Sequence, residues 1–265
     1  MKIEINDLHF SYANGIEALS GITLTIEAGE QVGIVGQNGA GKTTLVKHLN
    51  GLLQPTSGSV VIGGWDTTKY SVAKLAARVG YVFQNPDEQL FSPTVGQEIA
   101  FGPQNLGFTS DKVEALVTDA MALTELADKS TVNPYDLSPT WRKMVAIASI
   151  ISMDTPIVVF DEPTTGQDAA NVARIANIIS ALKKRGKTVI TITHDIDFCA
   201  ENFDRVIALS QGKALLDGAA NDVLGQEEIL AMTYVDPPQL TRLGKKLGFR
   251  KTERNQKEFL AALKK

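Results

Sequence analysis

Nine consecutive residues, Gly36-Gln37-Asn38-Gly39-Ala40-Gly41-Lys42-Thr43-Thr44, carry the types and the spacing that hold phosphate. Glycines let the backbone take positive φ and come close to a ligand. Successive N–H groups then turn inward as an anion nest, and a helix starting there adds the positive end of its dipole. Lys42 is spaced to reach the outer phosphates, and Thr43 offers a hydroxyl to Mg²⁺. The plainer alternative is a glycine-rich turn that happens to precede a helix. The apolar run at 31–35 and the helical pattern at 45–49 favour the phosphate loop instead, because they supply its strand–loop–helix setting. The expected ligand is a nucleoside triphosphate.

A second stretch complements the first. Residues 156–160, Pro-Ile-Val-Val-Phe, read as a strand covered on both faces, and it runs into Asp161 and Glu162. A carboxylate there suits Mg²⁺ beside a triphosphate, and the adjacent Glu162 suits a general base that polarises the attacking water. Two solvated acids capping a strand would be the bland reading, but no other strand offers the phosphate loop a better carboxylate. Tyr12, Gln84 and His194 would each be weak signals alone: a single histidine at a strand end is more often packing or surface than catalysis. His9 and His48 match no pattern and read as packing or surface.

The elements that must position these residues follow from periodicity. Ile3, Ile5, Leu8 and Phe10, then Ile22, Leu24 and Ile26, mark a β-rich lead-in with turns at Asn14-Gly15 and Ala28-Gly29. Beyond the loop helix come a breaker cluster at 51–58, a strand at 59–62, a short helix at 73–77 and a strand at 79–83. Residues 85–140 change character, with Pro86, Pro93, Pro103 and Pro139 and one clear amphipathic helix at 111–126, whose Val113, Leu116, Val117, Ala120 and Leu123 share a face. A helix at 141–153, the strand at 156–160, a helix at 168–185, a strand at 188–193 and a hairpin at 206–217 follow. Short helices are expected after Pro237-Pro238. The alternation predicts an α/β sheet with an added helical lobe. We divide it as 1–84 (β subdomain and first half of the nucleotide core), 85–153 (helical lobe), 154–232 (second half of the core) and 233–265 (C-terminal extension).

Composition excludes several classes. No apolar run approaches the roughly 20 residues that span a bilayer, and residues 1–5 alternate rather than form a signal peptide's apolar block. One cysteine, Cys199, excludes an internal disulfide and fits a reducing compartment. Net charge is −4, yet residues 240–265 carry nine Lys/Arg against Glu253 and Glu258, which makes +7 there and −11 over 1–239. A solvated helix face explains that segment better than contact with nucleic acid, anionic lipid or an acidic protein.

Together these residues resemble the ATPase subunit of ABC transporters, over about residues 1–232. The resemblance implies an ABC-type P-loop NTPase with an N-terminal antiparallel β subdomain, a helical lobe and a short C-terminal helical extension, using ATP and Mg²⁺. It implies that Tyr12 stacks on adenine, that Gln84 senses Mg²⁺ and the γ-phosphate, and that Asp161 shares the metal with Thr43. It further implies that Glu162 is the base, that His194 is the switch histidine, and that Asp168, in Gly166-Gln167-Asp168, belongs to the D-loop. The run 84–95, Gln-Asn-Pro-Asp-Glu-Gln-Leu-Phe-Ser-Pro-Thr-Val, with Phe101-Gly102-Pro103 and Pro237-Pro238-Gln239-Leu240, is similar to energy-coupling-factor ATPases, which serve importers of vitamins and transition-metal ions. That similarity implies a peripheral place on the cytoplasmic face of the cell membrane, a transmembrane coupling protein docked beside Gln84, and a substrate-binding membrane subunit. Asp87 and Glu88 are expected to meet an arginine of the coupling protein. No nucleic-acid partner is expected, although the basic segment keeps open a soluble role in translation or DNA repair.

One motif departs from the family. Where the family carries Leu-Ser-Gly-Gly-Gln, this chain reads Leu137-Ser138-Pro139-Thr140-Trp141. Ser138 can cap the following helix, and Pro139 fits its first turn. The anion site is expected to suffer, because Pro139 has no N–H and Thr140 and Trp141 add bulk where glycines allow approach. In this family the signature completes the partner's site, so a heterodimer with a second ABC ATPase is expected. The alternative is a nucleotide-binding regulatory or structural partner with little hydrolysis of its own.

Overall fold

The computed structural model describes residues 1–249 and 252–264, so Arg250, Lys251 and Lys265 of the basic segment lie outside the described residues. The chain begins with β1 (Ile3–Ser11), β2 (Glu17–Ile26), β3 (Gln31–Val35), α1 (Lys42–Leu49), β4 (Ser57–Ile62), β5 (Trp65–Asp66), α2 (Val72–Ala76) and β6 (Val79–Val82). The lobe holds α3 (Val95–Asn105), α4 (Ser110–Leu123) and α5 (Pro139–Ile151). Then come β7 (Ile157–Asp161), α6 (Ala169–Lys184), β8 (Thr188–Ile192), α7 (Ile196–Asn202), β9 (Arg205–Ser210) and β10 (Lys213–Ala219). The last described helices are α8 (Ala220–Leu224), α9 (Glu227–Met232), α10 (Gln239–Lys246) and α11 (Gln256–Leu263).

Two sheets form. The first has the order β2-β1-β4-β5 and is antiparallel; the second has the order β10-β9-β3-β8-β7-β6 and is parallel except for β10. In β1 the inward set runs Ile3, Ile5, then Leu8, Phe10, a break in the two-residue period. The register shifts between Ile5 and Leu8, where Asp7 takes φ 46°, so the bulge returns Leu8 to the core.

The parallel strands are buried on both faces because two cores clasp them. Ile157, Val159, Ile190, Ile192, Ile207 and Leu209 join the core shared with the antiparallel sheet and α1. Their neighbours Val158, Phe160, Val189, Val206 and Ala208 join the core shared with α5, α6 and the lobe. Cys199 lies in that second core, and burial pushes its thiol up to about 12.

The lobe holds one long helix more than the sequence pattern predicts. α3 contains Gly96, Gly102 and Pro103, which read as breakers, yet Thr94 caps it by accepting from Gln97 N–H at 3.3 Å. Gly102 is required by close approach: a Cβ there would lie 2.5 Å from Met153 Cγ. Packing against α5 therefore overrides local propensity. α4 ends at Leu123, short of 126, because Glu125 turns to φ 59°. The C-terminal extension is tied to the core by Gln239 N–H donating to Asp197 at 2.8 Å and Arg254 donating to the Phe203 carbonyl at 3.0 Å.

Candidate functional site

Four parallel strands end along one edge of the second sheet, the usual place for ligands in such folds. β3 runs into residues 36–44, β6 ends two residues before Gln84, β7 ends on Asp161, and β8 ends two residues before His194. A cavity of about 670 Å³ there brings Tyr12, Gln84, Glu162 and His194 together with Asn38, Gly39, Gly41, Lys42, Thr43 and Thr44. Gly36, Gln37, Ala40 and Asp161 do not line that cavity. Asn14 and Ile16 of the turn between β1 and β2, with Glu17 and Ala18 at the start of β2, add to the wall, which periodicity alone could not place.

The loop's glycines are needed where they stand. Gly36 has φ 148°, and a Cβ on it would lie 2.3 Å from the Leu209 carbonyl. Gly41, at φ 100°, precedes α1 and offers no side-chain cap, so the first N–H groups of that helix are left for a ligand. The loop is held from outside: Gln37 N–H donates to the Thr233 carbonyl at 3.2 Å, and Gly212 N–H donates to the Ala40 carbonyl at 3.1 Å. Nothing in the sequence marks Thr233 for that task, because a carbonyl contact carries no side-chain signal.

Lys42 donates to the carbonyls of Gly36 at 2.7 Å and Gln37 at 3.0 Å. Burial holds its pKa below the ordinary lysine value, while Glu162 and Asp161 act in the opposite direction. Thr43 Oγ1 donates to Asp161 Oδ1 at 3.2 Å, and Tyr81 donates its phenol to Asp161 Oδ2 at 2.6 Å. Burial, followed by the charge of Asp161, raises the Tyr81 pKa and keeps it a neutral donor. Tyr81 was legible only as one residue of a buried strand. Tyr12 lies edge-on to Phe10, and its hydroxyl is 2.9 Å from Thr44 Oγ1.

Glu162 is buried and takes φ 49°, a left-handed conformation that costs a non-glycine residue about 1 kcal/mol or more. Its N–H donates to the Ile192 carbonyl at 2.9 Å. His194 Nδ1 is 2.7 Å from Glu162 Oε2, and the His194 N–H donates to the same oxygen at 3.3 Å. The imidazole is otherwise open, with its side chain 59% exposed. A buried carboxylate and an exposed imidazole thus face the cavity as one hydrogen-bonded unit.

The divergent signature lies elsewhere. Ser138 caps α5 by accepting from Trp141 N–H at 3.5 Å, Pro139 opens the helix, and both are exposed. Leu137 packs on the lobe core. Trp141 differs from expectation. Its ring leans onto that core between two cations, Lys129 Nζ at 4.6 Å and Arg174 Cζ at 5.0 Å from the centroid. Its ring is therefore turned toward the lobe core. Asp168 caps α6, accepting from Asn171 N–H at 2.9 Å and Asn171 Nδ2 at 2.7 Å. Asp87 and Glu88 are both exposed, and Arg142 of the same chain donates to Asp87 at 2.7 Å.

No helix among the described residues is long and apolar enough to cross a membrane. Nor do they contain a cluster of three or more His, Cys, Asp and Glu that could hold a metal. Thr43 and Asp161 suit Mg²⁺ in another way, as a hydroxyl and a carboxylate that meet beside a phosphate cradle.

The ABC transporter family profile matches residues 19–165, over half of the chain. The chain belongs to the ABC transporter ATP-binding family. An energy-coupling factor transporter ATP-binding protein, EcfA, of Methanothermobacter thermautotrophicus is 40% identical over 243 residues, covering 91% of this chain and 78% of the relative. A curated relative from Methanosarcina acetivorans is also 40% identical, over 92% of this chain, but the chain spans only 40% of that relative's length. Among solved structures, cbiO1 of Clostridium perfringens, described as part of the ABC transporter complex cbiONQ, superposes with a TM-score of 0.78 at 33% identity, over 93% of this chain and 98% of that one. Membership implies ATP as the nucleotide and the two-sheet ABC-type P-loop fold described above.

Proposed function

We propose that the chain is the ATP-hydrolysing subunit of an energy-coupling-factor type ABC importer, driving uptake of a vitamin or transition-metal ion through a membrane coupling subunit. The observation that carries this reading is the meeting of the phosphate loop, Gln84 and the Glu162–His194 pair around one cavity. Tyr12 offers its ring to adenine. The loop amides, the α1 N-terminus and Lys42 bind the phosphates, Lys42 exchanging two backbone carbonyls for phosphate oxygens. Thr43, Gln84 and Asp161 hold Mg²⁺, which when bound neutralises charge on the outer phosphates. Glu162 takes the proton of the attacking water as general base, and His194 orients that carboxylate and reaches the γ-phosphate. Asp168, as the D-loop residue, serves the dimer interface.

The partners are a second ABC ATPase, a transmembrane coupling protein and a substrate-binding membrane subunit, with the chain peripheral at the cytoplasmic face of the membrane. A heterodimer is favoured because residues 137–141 would complete the partner's site poorly. Glu162→Gln in the assembled complex tests the reading. Turnover is expected to fall about 100-fold or more with ATP still bound. Transport and hydrolysis that persist would favour the second reading, a nucleotide-binding regulatory partner, which the exposed Pro139 in place of an N–H donor supports.

A further inference from the structure

Lys143 is among the largest fully buried side chains of the molecule, only 2% exposed, and none of the roles above uses it. It lies in α5, five residues beyond Ser138. Its ammonium donates to the Phe83 carbonyl at 3.2 Å and to the Gln84 carbonyl. No carboxylate forms an ion pair with it among the described residues. Burial holds its pKa down to about 8, against the opposing charges of Asp161 and Glu162, so a buried cation with no ion pair is a costly way to fill space, and an apolar residue of the same length would avoid that cost. What the ammonium provides that a methionine could not is a pair of directed bonds to the two carbonyls from which the Gln84 side chain departs.

The neighbours of Lys143 on α5 hold the same loop. Arg142 donates to Asp87 at 2.7 Å. Gln89 donates to the Ala146 carbonyl at 2.7 Å and Ser149 Oγ at 3.0 Å, and accepts from Phe83 N–H at 3.1 Å. Residues 142, 143, 146 and 149 share one face of the helix, so that face grips the segment 83–89 at both ends. Among the described residues, Lys143 alone hydrogen-bonds Gln84, whose side chain lines the cavity.

We propose that Lys143 is a positioning residue for Gln84, fixing the Gln84 backbone so that its side chain meets the nucleotide and making α5 and this loop move as one body. The proposal rests on the hydrolytic reading of the site only for its effect on turnover. α5 begins at the divergent signature, so any displacement of that segment by a partner subunit is passed through Lys143 to Gln84.

The test is a double-mutant cycle in the assembled complex, with kcat and KM for ATP measured for the native protein, Lys143→Met, Gln84→Ala, the double variant and Glu162→Gln. Amide hydrogen exchange of Phe83, Glu88 and Gln89 is followed in parallel. Lys143→Met is expected to lower kcat about tenfold, change KM less than about twofold, and add little to the loss caused by Gln84→Ala. It should quicken exchange in the loop while leaving the thermal midpoint unchanged or higher. Lys143→Gln, which keeps a donor on a shorter neutral stem, should recover part of kcat. An unchanged kcat, or losses that multiply in the double variant, would overturn the proposal. If Glu162→Gln leaves turnover intact, the hydrolytic reading has failed, and loop exchange decides: unaltered exchange in Lys143→Met overturns the positioning role, and quickened exchange upholds it. Should Lys143→Met not fold, the same comparisons are made with Lys143→Gln.

Discussion

The N-termini of α1 and α5 are built in opposite ways. α1 starts at Gly41, with no side-chain cap, and Lys42 folds onto two carbonyls in front of a cavity. α5 starts at Ser138-Pro139, where the serine caps the helix and the proline has no N–H to offer; Lys143 also folds onto two carbonyls, but deep in the protein. The first terminus leaves its donors unspent and its cation free to change partners. The second gives one donor to Ser138 and lacks another at Pro139, and its cation is held by the Phe83 and Gln84 carbonyls in the interior. The lesson is that helix dipole and lysine are shared by both, and the difference lies in which donors the chain has already used.

The largest effect should come from breaking the open terminus. Lys42→Met is expected to weaken ATP binding by roughly 30- to 100-fold, about 2–3 kcal/mol, since a charge-assisted contact to phosphate is lost. Calorimetric titration of the purified chain checks this, and unaltered affinity would remove Lys42 from the phosphate cradle. An intermediate effect should come from opening the closed terminus. Pro139→Gly with Thr140→Gly, leaving Trp141 in place, should raise hydrolysis by the chain alone about tenfold, because the N–H restored at 139 and the bulk removed at 140 let the backbone reach a partner copy's phosphate. Trp141→Gln alone should instead lower stability by about 1–3 kcal/mol without raising hydrolysis. Steady-state ATPase and urea unfolding separate the two, and a rise in ATPase with Trp141→Gln would show that the ring blocks the interface after all. The smallest effect is expected for Ser138→Ala, a loss of about 1 kcal/mol in unfolding free energy with ATP binding by the same chain unchanged.

Much of the fold was legible because two-residue and 3.6-residue periods survive wherever one face is buried. The strands at 157–161 and 188–192 and the helix at 169–184 lie close to where their patterns put them. α3 was missed because its Gly96, Gly102 and Pro103 speak against a helix locally, while the contact of Gly102 with Met153 that rewards them is 51 positions away. The contacts of Asp87 and Trp141 within the chain were illegible for a related reason: Arg142, Lys129 and Arg174 reach them only once the lobe is packed.

The sequence by itself determined the phosphate cradle, since glycine spacing, lysine and a following helix are local and need no partner element. It also determined which strands precede Asp161, Glu162 and His194, through apolar-rich runs ending in polar residues. Only the tertiary structure decided which lone pairs and protons those residues have left. The Tyr81 bond to Asp161, the Thr233 carbonyl under Gln37 and the Lys143 clamp on Gln84 join positions 80, 196 and 59 residues apart. Hydrogen-bond saturation depends on distance in space, and a one-dimensional pattern records only hydrophobicity and local backbone preference.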